Sequence, residues 1–419
     1  MSLKTWFYGT LGIFGAGFHL LWNHTVEKIT CDCCTCDHKM AKWMKWIAVK
    51  TGPVSIKFMQ VLSMRTDLLS EVVCKELRTL QEHVPLETSD ERILQILKES
   101  GAYSKLRDFA IVPLAVGSVG QVHTAFLAEN DKKVAIKFIK PNTEENVGPN
   151  LQFLRFMTKI IYIGSTDMGH RLELALNWLD AHIREQFDLR MEAGHLTYLS
   201  AKTKYTRSVL IPHVYEQLSN KNVMVMDFVE GGWYDTYSGL SQDEKNKITF
   251  TLIGFYLASS LRYGVIHCDL HGGNVRITPD RRLAIFDFGL AKKTTFEERK
   301  MCGEMLVSCA KGDYARASSF FINQLVYFPP TTSADVMEEA RKQVEINFSR
   351  SITADRFDAK VLNDSQVDVY LKYNLKNTST VFDDLALSFI NTQALVSSIG
   401  GEQNVWKYFA EMCQNIHVY

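Results

Sequence analysis

The stretch HCDLHGGNVRI, His267 to Ile277, followed by LAIFDFGLA, Leu283 to Ala291, decides the fold. His267, Asp269 and Asn274 stand in the spacing H-x-D-x-x-x-x-N, and Asp287-Phe288-Gly289 comes 18 residues after Asp269. Phosphoryl transfer calls for such a set. Donor phosphates concentrate negative charge, so magnesium must be held against them by hard oxygen ligands. Asn274 and Asp287 supply such oxygens from two neighbouring loops, and Asp269 is placed to accept or orient the proton of an attacking hydroxyl. The short apolar runs VRIT and LAIF read as strands that fix these loops.

Four further segments upstream agree with that reading. In KVAIKFIKP, Lys137 closes a V-A-I-K pattern in an apolar strand, whose lysine contacts nucleotide phosphates and an acidic helix residue. Glu192, in EQFDLRMEAGHL, is the candidate acidic partner. In PLAVGSVGQVH, the backbone of Gly117, Ser118, Val119 and Gly120 is a candidate cover for phosphates, with a glycine-containing hairpin turn as the plain alternative. In NVMVMDFVEGG, Met226 would line the back of a nucleotide pocket, and Asp227 to Val229 would offer backbone bonds to an adenine. ATP and Mg2+ are the cofactors this set implies.

Composition agrees with a folded enzyme. The 419 residues are 46% hydrophobic and 22% charged, which excludes wholesale disorder. With 47 basic and 47 acidic side chains the net charge is zero, against a dedicated nucleic-acid binder. Helical periodicity runs from Thr51 to about Ser100, with Pro85 dividing two helices and Thr88-Ser89-Asp90 as capping groups. After Gly101 the pattern turns to strands. A long helical stretch from Leu151 to about Lys204 follows, with breaks at Gly164 and Gly169, and the part beyond Trp233 reads as mainly helical with two short strands. The plan is α+β and two-lobed.

The amino terminus carries its own signals. The uncharged run from Trp6 to Trp22 would span about 26 Å as a helix, marginally enough to cross a bilayer. Trp6, Tyr8 and Trp22 suit interfacial anchors, and Gly9, Gly12, Gly15 and Gly17 would let a second copy's helix approach, giving a homodimer through the anchor. Lys28, Lys39 and Lys42 after the run outnumber Lys4 before it, which keeps the following chain on the cytosolic or matrix side. Cys31, Cys33, Cys34, Cys36 and nearby His38 read three ways: a metal site, reversible acylation, or an inert reduced cluster. From Lys39 to Lys50, Trp43, Trp46, Ile47 and Lys50 repeat at helical spacing, as a membrane-interface helix or a packing face. Sequons at Asn23, Asn347 and Asn377 carry little weight.

These residues together resemble the UbiB family of atypical protein-kinase-like proteins, from about Lys50 to about Asp313. GPVSIKFMQVLSMRTDLLS with LQEHVPL is similar to that family's K-x-G-Q helix and its sequel. Lys57 and Gln60 match its Lys and Gln, and Met59 stands where the family has Gly. PLAVGSVGQVH is similar to its Ala-rich nucleotide loop, with Gly117 and Gly120 in place of Ala. The E-x-D triplet is Gln186-Phe187-Asp188 here, so the first acid is lost, and HCDLHGGN lacks the two prolines of HxDPHPGN.

The resemblance implies a bilobal kinase-like fold with an added N-terminal helical extension and an anchor helix. Residues 1–30 would be the anchor, 31–108 the Cys cluster and extension, 109–232 the N-lobe with an insertion, and 233–419 the C-lobe. It implies an ion pair of Lys137 with Glu192, Asp269 as catalytic acid-base, Asn274 and Asp287 as magnesium ligands, and Lys57, Gln60 and Asp188 as an occluding network. It further implies a membrane-linked, mitochondrial role in coenzyme Q or lipid metabolism, with membrane lipid or quinone-pathway proteins as partners. Two other readings stand beside it: a small-molecule kinase of the aminoglycoside or choline type, and a nucleotide-binding scaffold without turnover.

Overall fold

Apolar residues three and four apart, and β-branched residues two apart, set out the elements before any long-range contact forms. The computed structural model describes residues 34–63, 65, 68–81, 88–141, 143–232, 239–352, 358–400 and 405–415. The run Trp6–Trp22, Cys31, Cys33 and Pro85 lie outside the described residues. Among the described residues no helix is long and apolar enough to cross a membrane. Backbone packing divides the chain into two units. The first holds residues up to Arg190 with Tyr215–Asp227, and the second Met191–Val214 with everything from Phe228. Residues 191–214, Glu192 among them, thus pack with the C-terminal part, whereas the sequence groups them with the N-lobe.

The first unit opens with helices α1 (Cys34–Thr51), α2 (Pro53–Leu62), α3 (Glu71–Arg78) and α4 (Asp90–Glu99). Gly52, at φ 114°, turns the chain between α1 and α2, and Pro53 opens α2, where its missing N–H has no cost. Ser70 and Ser89 cap α3 and α4 by accepting from Val73 N and Arg92 N. Strands β1 (Leu106–Arg107), β2 (Ala115–Val116), β3 (Gly120–Leu127), β4 (Lys133–Ile139) and β6 (Val223–Asp227) form one antiparallel sheet in the order β1-β3-β4-β6, with β2 also on β3.

Side-chain alternation gives this sheet two faces. Val134, Ile136 and Phe138 of β4, with Ala125, Leu127, Val223 and Val225, bury one face against Ile93, Ile96 and Leu97 of α4. Each such side chain contributes about 1.5–3 kcal/mol when fully buried. The other face carries Val122, Lys137 and Met224 in one row and Thr124, Ala135 and Met226 in the next.

Between β4 and β6 stands an α-hairpin of α5 (Val147–Gly164) and α6 (Thr166–Ile183), on which α2 packs. The helical break falls at Ser165, which caps α6 through Met168 N. Gly169 is no break. It lies inside α6, where a Cβ would come within 2.6 Å of Tyr162, so the residue is small to let the two helices touch.

The second unit begins within α7 (Leu189–Thr203) and continues through β5 (Val209–Leu210) to α8 (Gln242–Leu257) and a π-helical turn, Ala258–Arg262. Five more short strands appear here than the two the sequence shows. β7 (Val265–His267) pairs with β10 (Ala291–Lys293), while β8 (Val275–Ile277) pairs with β9 (Leu283–Ile285), and β5 joins β9 in parallel. Three-residue strands are too short for an alternation to be read. Helices α9 (Phe296–Ala310), α10 (Tyr314–Phe320), α11 (Ala334–Ser351), α12 (Ala359–Tyr373), α13 (Val381–Ile399) and α14 (Val405–Asn415) complete it, with β11 (Val326–Tyr327) and β12 (Lys376–Asn377) as a two-stranded pair. Ser241 with Glu244 and Thr295 with Glu298 form capping boxes that start α8 and α9.

Candidate active site

The loop from His267 to Asn274 is built by side chains that bond its own backbone. His267 is buried at the end of β7. Its Nδ1 accepts from Asp269 N at 3.3 Å, so Nε2 carries the proton and donates to Phe286 O at 3.1 Å. This one imidazole fixes the turn into Asp269 and ties it to the strand that leads to Asp287. Burial pushes the His267 pKa down, consistent with that neutral ring. His271 caps the following turn by accepting from Gly273 N at 3.0 Å.

Asn274 donates Nδ2 to Asp269 O at 2.9 Å. That bond directs the amide nitrogen inward and leaves Oδ1 as the group Asn274 has for a cation. Asp287 sits at φ 52°, a left-handed conformation that costs a non-glycine residue about 1–3 kcal/mol and recurs at functional sites. Its Oδ1 accepts from Gly289 N at 3.3 Å. Phe288 is buried against His267 and Phe255, with ring centroids 4.6 and 6.5 Å away, and His195 of α7 lies 3.4 Å from its carbonyl. An amide oxygen from one loop and a carboxylate from the next make a hard donor pair that fits Mg2+. Among the described residues no cluster of three His, Cys, Asp or Glu side chains suits a metal.

The second unit therefore brings together Asp269, Asn274 and Asp287, and it also holds Glu192, buried in the first turn of α7. The first unit holds Lys137, half-buried on the sheet face away from α4. In the glycine loop, Gly117 N donates to Gly120 O at 2.8 Å and Lys140 N to Val119 O at 2.9 Å, and Ser118 is buried. A Cβ on Gly120 would lie 2.4 Å from Phe138 O, so this glycine answers to strand packing. Asp227 accepts from Tyr215 Oη at 2.8 Å and pairs with Lys132 at 2.7 Å, which anchors the end of β6 beside Met226. Val229 follows in the second unit.

The residues of the occluding network have partners of their own. Gln60 Nε2 donates to Leu80 O at 2.7 Å. Asp188 is held by Arg190, whose Nη2 lies 2.6 Å from its Oδ2 and whose pull keeps the carboxyl below the usual range. Lys57 and Met59 are buried in α2. Gln186, at the lost acid, has its Oε1 buried without a hydrogen bond among the described residues.

Two supporting residues have no signal in the sequence. Asn391 of α13 donates Nδ2 to Cys268 O at 3.1 Å across 123 residues, inside the core. Asp384, on the same helix and fully buried, accepts from Thr380 Oγ1 at 2.9 Å. Burial, with Asp384 nearby, raises the Cys268 thiol well above its ordinary pKa. No local pattern links position 391 to the loop at 268. The sequon at Asn347 is closed by the fold, since the side chain is buried and donates to Ser365 O at 2.9 Å.

The ABC1 atypical kinase-like domain matches residues 79–320, more than half of the chain. The chain is similar to proteins named "Probable protein kinase UbiB". That of Shewanella woodyi is 29% identical, over 76% of this chain and 62% of the relative. That of Vibrio parahaemolyticus is 25% identical, over 85% and 72%. The chain spans about three-fifths of the length of the first of these curated relatives. A solved structure described as the complex structure of Rv3197-erythromycin from Mycobacterium tuberculosis covers 82% of this chain and 91% of its own at 17% identity. Its TM-score of 0.43 is too low to bear on the fold. With a matched domain over more than half its length, the chain belongs to the ABC1 atypical kinase-like family of UbiB-type proteins.

Proposed function

We propose that the chain binds ATP with Mg2+ and turns it over, as an ATPase or phosphotransferase linked to a membrane and supporting coenzyme Q or lipid metabolism. The observation that carries the reading is the inward bond of Asn274 Nδ2 to Asp269 O, which leaves an amide oxygen to work with the carboxylate of Asp287. In this reading Asn274 and Asp287 hold the magnesium, which supplies charge neutralisation at the phosphates. Lys137 places a cation on the donor phosphates, with Glu192 orienting it. Asp269 takes the proton of the attacking water or hydroxyl, its backbone fixed by His267 and Asn391. Gly117 to Gly120 would cover the phosphates, and Met226 to Val229 the base. Lys57, Gln60 and Asp188 would restrict access for large acceptors, in keeping with hydrolysis over protein phosphorylation.

The apolar run Trp6–Trp22 supports membrane attachment, with lipid or quinone-pathway proteins as partners. The relatives above are bacterial and give a mitochondrial address no support. The test is magnesium-dependent stabilisation by ATP in a thermal melt, followed by hydrolysis with and without vesicles. Wild-type protein should gain several degrees and Asp287→Asn none. Equal shifts with and without magnesium would sink the metal assignment. Binding without turnover would turn the reading to a nucleotide-responsive scaffold.

A further inference from the structure

We propose that the turn at Tyr263–Gly264 is the centre of a docking surface for an acidic protein segment. The turn follows the π-helical Ala258–Arg262 and leads into β7, with Gly264 at φ 71°. Four cations surround it, all in the second unit and none in the candidate active site. Arg262 lies over the Tyr263 ring, 5.9 Å from its centre. Lys202, in the last turn of α7, lies over Tyr198 at 5.3 Å, and Tyr198 Oη donates to Tyr263 O at 3.0 Å. Arg299 of α9 fills the space that a side chain on Gly264 would need, and its guanidinium stands 5.9 Å from the Phe296 ring centre. Lys293 is opposite Val265 in the β7–β10 pair, and Thr294 beside it donates N to Gly264 O at 3.0 Å.

Among the described residues none of the four has a carboxylate partner; three rest on aromatic rings instead. Of the acids close by, Glu298 is engaged by Thr295 N and Ser379 Oγ, and Glu297 is exposed. Stability gives no reason for the set. Like charges repel, and Arg299 stands in the first turn of α9, where the helix dipole disfavours a cation. The rings hold the charged groups in order, so less freedom is lost when a partner binds.

The chemistry selects the partner. Guanidinium forks held flat on rings match carboxylates in a two-bonded way, and arginine with tyrosine is the composition that concentrates binding energy between proteins. A lipid surface has no use for ordered forks and is met by broad apolar faces. Here Phe296, 49% exposed, is the apolar contribution, enough for one side chain of a partner. The zero net charge of the chain is against a nucleic acid. The segment that fits carries several carboxylates and an apolar residue among them.

The test uses the full chain in neutral detergent and a fluorescein-labelled peptide of eight glutamates around one leucine, read by fluorescence anisotropy. Binding should weaken about threefold in Arg262→Ala and about tenfold in Arg262→Glu with Arg299→Glu. Arg262→Lys with Arg299→Lys keeps the charge without the forks and should also weaken it about threefold. Lys202→Glu with Lys293→Glu leaves the packing on Gly264 intact. It should cost about tenfold, and it decides the matter if the arginine variants do not fold. No binding by the wild-type protein, or equal binding by the variants that fold, overturns the proposal. So does tighter binding, through the same cations, to phosphatidylglycerol vesicles than to the peptide, which would make this a lipid surface. Stabilisation by magnesium-ATP is measured on the same samples, and its failure would remove the nucleotide reading alone.

Discussion

The sheet of the first unit and the short hairpins of the second are held together in different ways. Strands β3 and β4 share a register of seven residue pairs, and their ladder is backed by a continuous apolar face. Strands β7, β8, β9 and β10 have three residues each, and side chains bond the backbone of the loops that flank them: His267 to Phe286, Asn274 to Asp269, Asn391 to Cys268. The first region is stabilised by apolar area, which tolerates small errors of shape. The second depends on single polar bonds in a dry interior, where one missing partner leaves a buried group unsatisfied. Such an arrangement fixes loop geometry closely, as a site that must align charges requires.

The contrast is tested most strongly at Phe138. Truncation to alanine should cost about 3–5 kcal/mol in urea unfolding, because a fully buried ring leaves a cavity under α4. A loss below about 1 kcal/mol would mean that the sheet face is not the core of its unit. Asn391→Leu probes the other region. It should cost about 1–3 kcal/mol by orphaning the Cys268 carbonyl. Amide exchange should then quicken at residues 267–270 and stay unchanged in β3 and β4, and exchange rising equally in both would deny Asn391 a local role.

A pH series compares the two regions at once. Burial holds His123 in the sheet and His267 in the loop below the ordinary histidine pKa of about 6.5. As pH falls through that value the unfolded chain takes up protons that the folded one does not. Stability is therefore full above about pH 6.5 and declines below it. A urea midpoint that held steady from about pH 7.5 down to pH 5.5 would contradict the assignment of both rings as neutral. The smallest effect belongs to Gln186. Replacing it with Met removes a buried oxygen that lacks a hydrogen bond and should add about 1 kcal/mol in the same assay; a loss would mean that the amide is satisfied in solution.

The family and the candidate residues were legible in the chain. Asp269, Asn274 and Asp287 could be named as candidates because the roles proposed for them need fixed residue types at fixed short spacings. Lys137 could be named as a candidate because V-A-I-K inside an apolar strand is a local pattern, and Ser89 starts its helix by a rule that reaches only three residues. Gly169 was misread as a break, because sequence cannot tell a glycine that bends a helix from one that lets a neighbour touch it.

What the sequence by itself determined is the set of groups and the short-range order in which they stand. The tertiary structure decided which of them support one another. Asn391 reaches Cys268 across 123 residues, and Gly231 lies against Arg276 because two distant backbones pack at the limit of contact. The physical reason is range. Periodicity, caps and motifs arise from neighbours along the chain, whereas a buried hydrogen bond between remote segments depends on how every intervening element has packed.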